Sequence, residues 1–180
     1  MIAKDAADVV RFWREAGPSL WFKGGEAFDD ECRRRLEPLH HAAARDELAR
    51  WMDDGEGALG LLLLLDQIPR NIYRGSGHAF ATDGLARKYA VMALEAGHDA
   101  RCDETLRPFF YLPFEHAESM ADQERAVALF DALGNTMMYD YAIRHRDVIA
   151  QFGRFPHRNA ALGRANTPEE QAYLDAGGGF

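Results

Sequence analysis

The chain has 180 residues and a formal net charge of −8; 47% of the residues are hydrophobic and 28% are charged. This balance is typical of a folded globular protein with a single domain. The negative charge argues against nucleic acids and anionic membranes as partners, because both attract basic surfaces. The two isolated cysteines indicate neither a disulfide framework nor a zinc site, and they favour the reducing cytoplasm.

Targeting and membrane signals are weak in this sequence. The N-terminal segment carries acidic residues where a signal peptide needs an apolar core. The apolar run from Gly60 to Leu65 is far shorter than the roughly 20 residues that a membrane span needs. We therefore interpret this run as part of a buried helix.

Apolar residues recur at helical spacing along the chain, and the alternation of half-buried strands is almost absent. We predict an all-α fold of about seven or eight helices joined by short links and arranged as stacked helical hairpins. The whole chain, 1–180, is expected to form one domain with a flexible tail at 176–180. The predicted helices cover 5–15, 26–36, 38–45 with a continuation at 47–52, the stretch from 58 onward, 80–96, 120–133, 136–151 and the stretch from 168 onward.

Local signals set several of these boundaries. Gly17-Pro18 is expected to end the first helix, and Pro38 to start or kink another turn. Pro69 lacks a backbone N–H and crowds the carbonyl four residues earlier, so a kink or break is predicted there. Ser119 with Asp122 resembles an N-cap pair, and Thr167-Pro168-Glu169-Glu170 is a capping box with proline at the first helical position.

The first of three polar blocks covers residues 66–74. Asp66, Arg70 and Arg74 are spaced four apart and share one helix face if the helix survives Pro69. The face continues directly from the apolar run, which places Asp66 close to the interior, where a carboxylate needs partners. A structural Asp–Arg pair that also satisfies freed carbonyls and a functional pair both explain this pattern.

The second polar block covers residues 112–118. His116 and Glu118 precede the predicted cap at Ser119, and either can bind a metal or transfer protons. The block contains no pair of histidines on one helix face, so it does not indicate a metal site. The alternative is that both side chains satisfy a helix end and tether a loop.

The third polar block runs from His145-Arg146-Asp147 to Asn159. His145 lies on an apolar helical stripe and is expected to be half-buried, either as a satisfied core residue or as an acid–base group. Pro156 is predicted to open a helix whose first turn, with Arg154 and Arg158 on either side, attracts an anion. Kinase, dinucleotide, serine-hydrolase and phosphate-loop motifs are incomplete or missing.

Three segments in this order carry a family resemblance: LLLLLDQIPRNIYRG, FFYLPFEHAES and HRDVIAQFGRFPHRNAALGR, followed by TPEE. Together they resemble the bacterial domain-of-unknown-function family numbered nine-two-four over almost the whole chain. The resemblance implies an all-helical, tetratricopeptide-like fold and no particular activity. The chain departs from the usual pattern at Ala117, where the family commonly has serine, and at Ile68, where it commonly has phenylalanine. The matching motif positions are Asp66, Gln67, Pro69, Arg70, Asn71, Arg74, Pro113, Phe114, His116, Glu118, His145, Arg146, Asp147, Arg154, Phe155, Pro156, His157, Arg158 and Asn159.

The leading functional hypothesis is a pocket for a small anionic molecule, built from all three blocks and possessing acid–base groups. Arg70, Arg154 and Arg158 are expected to clamp a carboxylate or phosphate, so that Arg154→Ala or Arg158→Ala abolishes binding without loss of stability. His116, His145 or His157 supplies acid–base chemistry. The orienting carboxylates are Asp66, Glu118 or Asp147, and the further ligand-binding residues are Asn71, Arg74 and Asn159.

Two alternatives of other classes stay open. In the first, a tetratricopeptide-like scaffold binds a peptide or partner protein in a groove. The aromatic residues expected to line or support that groove are Phe109, Phe110, Tyr111, Phe114, Tyr139 and Tyr141. In the second, the polar blocks form only a buried hydrogen-bond network that fixes helix packing. No cofactor or metal is implied, and the sequence does not indicate the ligand, the reaction or the oligomeric state.

Overall fold

The computed structural model describes residues 2–180 and contains helices and turns but no β-strand within that range. The predicted all-α fold is therefore confirmed. The α-helices are α1 Ala6–Trp21, α2 Gly25–Ala44, α3 Gly55–Leu62, α4 Ile68–Ile72, α5 Asp83–Glu95, α6 Leu112–Glu115, α7 Met120–Leu133, α8 Thr136–Phe152 and α9 Pro168–Asp175. A π-helical segment, Leu63–Gln67, joins α3 to α4. Short 3-10 turns lie at Ala49–Asp53, Gly77–Phe80, Asp99–Arg101, Arg107–Phe110 and Pro156–Arg158.

The chain divides into two compact units. The first comprises the chain up to Arg74 together with His78–Pro113, and the second comprises Gly75–Gly77 together with Phe114–Phe180. The first polar block thus lies in the first unit, and the third lies in the second. Whether the whole chain behaves as one domain stays a prediction. No helix within residues 2–180 combines the length and apolarity that crossing a membrane requires.

The core of the first unit contains the apolar run that the sequence placed in a buried helix. Leu61 to Leu65 are at most 1% exposed and lie across the junction of α3 and the π-helical segment. Helices α1, α2 and α5 pack around this stretch. Aromatic side chains complete the core: Trp13 and Trp21 stack on each other and both meet Phe109 edge-on. Burial of this surface is the main stabilising contribution of the unit.

Where a kink or break was predicted at Pro69, the backbone forms a π-helical segment just before this residue. The N–H of Ile68 bonds to the carbonyl of Leu63, one residue further back than in an α-helix. The carbonyl of Leu64 then has no backbone donor, since Ile68 is engaged and Pro69 has no N–H. Side chains from elsewhere in the unit replace those donors. His40 Nδ1 lies 2.8 Å from the Leu64 carbonyl, and the Thr82 hydroxyl donates to the Leu65 carbonyl at 2.5 Å.

Of two predicted helix ends in the first unit, one is confirmed and the other is wrong. The backbone of Gly17 leaves helical geometry at φ 71°, as the Gly-Pro signal predicts, and a second helical stretch containing Pro18 follows it to Trp21 within α1. Proline is tolerated there because the first turn of a helix needs no N–H donor. Helix α2 runs through Pro38 to Ala44 without a break. Its packing against α4 and the π-helical segment outweighs the single lost hydrogen bond.

The second unit is built on the helical hairpin of α7 and α8, whose boundaries agree with the prediction to within one residue. Gly134 ends α7 in the left-handed conformation, and the Asn135 side chain accepts from the N–H of Met138 to start α8. The capping box at Thr167 and Glu170 is present at the start of α9. Ser119 precedes α7, but its side chain makes no capping hydrogen bond.

Candidate functional site

The first polar block is built around Arg70 in α4. Its guanidinium forms two hydrogen bonds with the Asp83 carboxylate, at 2.8 and 2.9 Å, and a third with the carbonyl of Asp66 at 2.6 Å. The Asp66 carboxylate lies 3.3 Å from the same guanidinium and accepts from the Gln67 amide at 2.6 Å. Asp66 is only 1% exposed. These groups connect α4 to α5 and satisfy one another inside the unit.

Asn71 of α4 and Arg74, which follows this helix, contact a buried carboxylate on α2. Asn71 donates to Asp29 at 2.8 Å, and Arg74 donates to both oxygens of Asp29 at 2.7 and 2.9 Å. Burial opposes ionisation of Asp29, but the hydrogen bonds from Arg74 and Asn71 outweigh it and lower the pKa of this carboxyl. Charge-assisted pairs of this kind hold the two helices in register.

These contacts change the interpretation of four predicted site residues. Asp66, Arg70, Asn71 and Arg74 are engaged with groups of the first unit, which is the structural alternative that the sequence left open. We assign them to helix packing. A site built from all three blocks stays a prediction.

A second set of predicted residues also has structural partners, this time in the second unit. Arg154 forms two hydrogen bonds with Glu170, at 2.6 and 2.8 Å, and the Asn159 amide donates to the same carboxylate at 3.2 Å. The hydrogen bonds of Arg154 and of the Thr167 N–H lower the pKa of Glu170 to about 2. Arg154 and Asn159 therefore hold α9 on the end of α8, and a role of theirs in ligand binding stays a prediction.

The carboxylates that were expected to orient a histidine do not do so. Glu118 accepts from the backbone N–H of Phe155 at 2.8 Å and from Arg164 through both of its oxygens, so it anchors the loop after α8. Asp147 pairs with its neighbour Arg146, and its side chain is 61% exposed. The predicted helix at Pro156 is only the three-residue turn Pro156–Arg158, too short to present the N-terminal anion site expected there.

The remaining predicted residues converge in the second unit. They form what we call the histidine cluster: His116, His145, His157, Arg158 and the ring of Phe155. His145 meets the Phe155 ring edge-on at 5.6 Å and lies 6.2 Å from the ring of His116. The His157 ring is also 5.6 Å from the Phe155 ring, and the guanidinium carbon of Arg158 is 4.4 Å from the Phe155 ring centroid.

His145 is fixed by its Nδ1 atom. The Nδ1–H donates to the carbonyl of Tyr141 at 2.8 Å, and Glu115 Oε1 lies 3.3 Å from the same nitrogen. Glu115, which is not among the predicted site residues, is therefore the carboxylate that contacts this imidazole. Gln123 holds its segment by donating to the carbonyls of Glu115 and Ala117 at 2.6 and 2.8 Å. Within residues 2–180, His145 forms no hydrogen bond through Nε2.

The electrostatics of the cluster keep His145 neutral. Burial is the main reason that the pKa of His145 is lowered to about 3, and the positive charges of His116, Arg158 and His157 lower it further. Because the imidazole is neutral, its 3.3 Å contact with Glu115 is not an ion pair. With the proton on Nδ1, the lone pair is on Nε2.

The described residues show no cluster with the composition of a metal site. In the part of the chain that the structure describes, no group of three or more histidine, cysteine, aspartate or glutamate side chains is placed to hold a metal ion. Both Cys32 and Cys102 are free thiols. The cluster consists of a neutral imidazole that contacts the Glu115 carboxylate and lies near the positive charges of His116, His157 and Arg158.

Comparison with known proteins agrees with the resemblance found in the sequence. Residues 9–178 match the family described as "Bacterial protein of unknown function (DUF924)". A solved structure of a protein of unknown function from Agrobacterium tumefaciens is 51% identical, with a TM-score of 0.92 over 95% of this chain and 97% of that one. Among curated proteins, none matches the chain.

Proposed function

We propose that this chain, which belongs to the bacterial DUF924 family of proteins of unknown function, binds a small anionic molecule at the histidine cluster of its second unit. The supporting observation is the grouping of three cationic or protonatable side chains around one buried neutral imidazole. His116, His157 and Arg158 all contribute positive potential at His145. An anion placed among them offsets that potential, and low solvent access strengthens the attraction.

The same arrangement supports a catalytic step on the bound anion. The Nδ1–H of His145 is held by Tyr141 and faces Glu115, so Nε2 is the atom that accepts a proton. A base with a pKa of about 3 is poorly matched to neutral pH. A bound anion offsets the neighbouring positive charges and so raises the pKa of His145 toward its ordinary value, although burial continues to lower it.

A tetratricopeptide-like scaffold for a peptide is the second proposal, and its predicted aromatic groove receives less support. Phe109, Phe110, Tyr111 and Phe114 are at most 5% exposed, so these side chains belong to packed interiors and support a groove without lining it. Tyr141 is 44% exposed and available to a partner. A cytoplasmic location, which the free cysteines favour, forms part of both proposals.

Isothermal titration of the full chain with inorganic phosphate tests the anion site. Removing Arg158 deletes a charge-assisted hydrogen-bond donor worth about 1.5–3 kcal/mol, so Arg158→Ala should weaken binding at least about tenfold. Arg144 provides the matched control, since it is an exposed arginine on α8 that stacks on Tyr141. Arg144→Ala changes the net charge equally and should leave the affinity unchanged. Equal affinities for the wild type and both variants would refute the proposed site.

A further inference from the structure

The chain beyond α9 folds back and places an aromatic ring on the histidine cluster. Phe180 stacks on the imidazole of His145 with ring centroids 3.6 Å apart and an angle of 10° between the planes. It meets Phe155 edge-on at 6.2 Å and His157 edge-on at 5.8 Å. The Phe180 side chain is nevertheless 50% exposed, so only part of the ring is covered. The cluster therefore contains a slot that accepts a flat ring.

The glycines before Phe180 are required by this path. The N–H groups of Gly177 and Gly178 bond to the carbonyls of Leu174 and Tyr173 and turn the chain back after α9. A Cβ atom at Gly178 would lie 2.5 Å from the Tyr173 ring, which is itself packed on Phe152. Gly179 has φ +134°, a conformation that side-chain-bearing residues rarely adopt. Only glycine at these positions allows the ring to reach His145.

Two properties of the slot define its ligand. The face of a neutral imidazole and the edges of two further rings select a planar aromatic group. The surrounding His116, His157 and Arg158 select a negative charge. We propose that the histidine cluster binds an aromatic ring bearing an acidic substituent, and that Phe180 occupies the position of that ring until the ligand displaces it. This inference rests on the anion site proposed above and specifies its ligand class.

The test compares three probes on the full chain by isothermal titration: phenyl phosphate, inorganic phosphate and benzyl alcohol. Phe180→Ala empties the ring position, so phenyl phosphate should bind this variant about tenfold more tightly than the wild type, whereas inorganic phosphate should bind both equally. Benzyl alcohol lacks the charge and should bind neither. Benzoate in place of phenyl phosphate distinguishes a carboxylate from a phosphate preference.

Two further variants separate displacement from a general effect of losing a surface ring. Phe22 is also 50% exposed but belongs to the first unit, so Phe22→Ala should leave all affinities unchanged. Gly179→Val keeps Phe180 but disfavours the backbone conformation that delivers it, and it should reproduce the tighter binding of phenyl phosphate.

The outcomes distinguish this inference from the anion site itself. If inorganic phosphate binds but phenyl phosphate binds Phe180→Ala no more tightly than the wild type, the ring slot is refuted and the anion site stands. If neither phosphate compound binds any form of the protein, both proposals fail. A loss of stability in Phe180→Ala without a change in any affinity would make Phe180 a packing residue and overturn the displacement.

Discussion

The lowered pKa of His145 makes a quantitative prediction about stability. In the unfolded chain this histidine takes up a proton near its ordinary pKa of 6.5, whereas the folded protein holds it neutral down to about pH 3. Above about pH 6.5 both states are neutral and the group contributes no pH dependence. Below that value the unfolded state binds the proton and the fold does not, so stability falls as the pH falls.

The magnitude follows from the two pKa values. Each pH unit between them changes the free energy of unfolding by about 1.4 kcal/mol. Because the unfolded histidine is already half protonated at its own pKa, acidification from about pH 6.5 to about pH 4.5 should destabilise the wild type by about 2 kcal/mol through this one group. His145→Asn retains a donor toward the Tyr141 carbonyl and cannot take up a proton, so its loss over the same range should be smaller by that amount.

The assay is urea unfolding of the wild type and His145→Asn at a series of pH values. The difference between the two proteins cancels the contribution of titrating groups that do not interact with His145, including the buried His40, whose pKa is also lowered by burial. The difference in unfolding free energy should be constant above about pH 7 and change steadily below about pH 6. A difference that does not vary with pH would refute the conclusion that the fold holds His145 neutral.

Two other perturbations test the structural assignments. Thr82→Val leaves the buried carbonyl of Leu65 without its hydroxyl donor and should cost about 1–3 kcal/mol in urea unfolding. The loss of unfolding free energy caused by Thr82→Val should be smaller in a Pro69→Ala background, because the restored N–H of residue 69 can reach the Leu65 carbonyl. An equal loss in both backgrounds would argue against the explanation given for the π-helical segment. Arg154→Ala should lower the unfolding midpoint at neutral pH and leave phosphate binding unchanged. Weaker phosphate binding by this variant would contradict the structural role of Arg154. Because the pKa of Glu170 is lowered to about 2 from its usual 4.5, the stabilisation by this pair is present above about pH 4.5 and should be lost as the pH falls toward 2.

Features of the fold that depend on neighbouring residues were predictable from the sequence. The capping box at Thr167 and the helix-ending glycines at Gly134 and Gly153 each act through contacts within a few residues. The π-helical segment was not predictable. Pro69 indicates only that one backbone donor is missing. The backbone conformation that results depends on His40 and Thr82, which are distant in sequence.

The candidate site shows the same division. Pattern and spacing identified the residues of the histidine cluster, but they did not separate them from Arg70, Arg154 and Asn159, whose partners come from other helices. Glu115 carried one signal that was available: an acidic residue directly beside His116 in an otherwise apolar segment. Phe180 carried none, because a single aromatic residue after three glycines resembles an unstructured tail until its contact with His145 is seen.

The most direct test of the anion site is a crystal structure of the protein grown with phosphate, compared with Arg158→Ala under the same conditions. Our account predicts a phosphate within hydrogen-bond distance of the Arg158 guanidinium and of a ring nitrogen of His116 or His157 in the wild type. The same density should be missing from the variant. A wild-type structure with no anion at the histidine cluster, or with phosphate only on exposed arginines elsewhere, would contradict the proposed site.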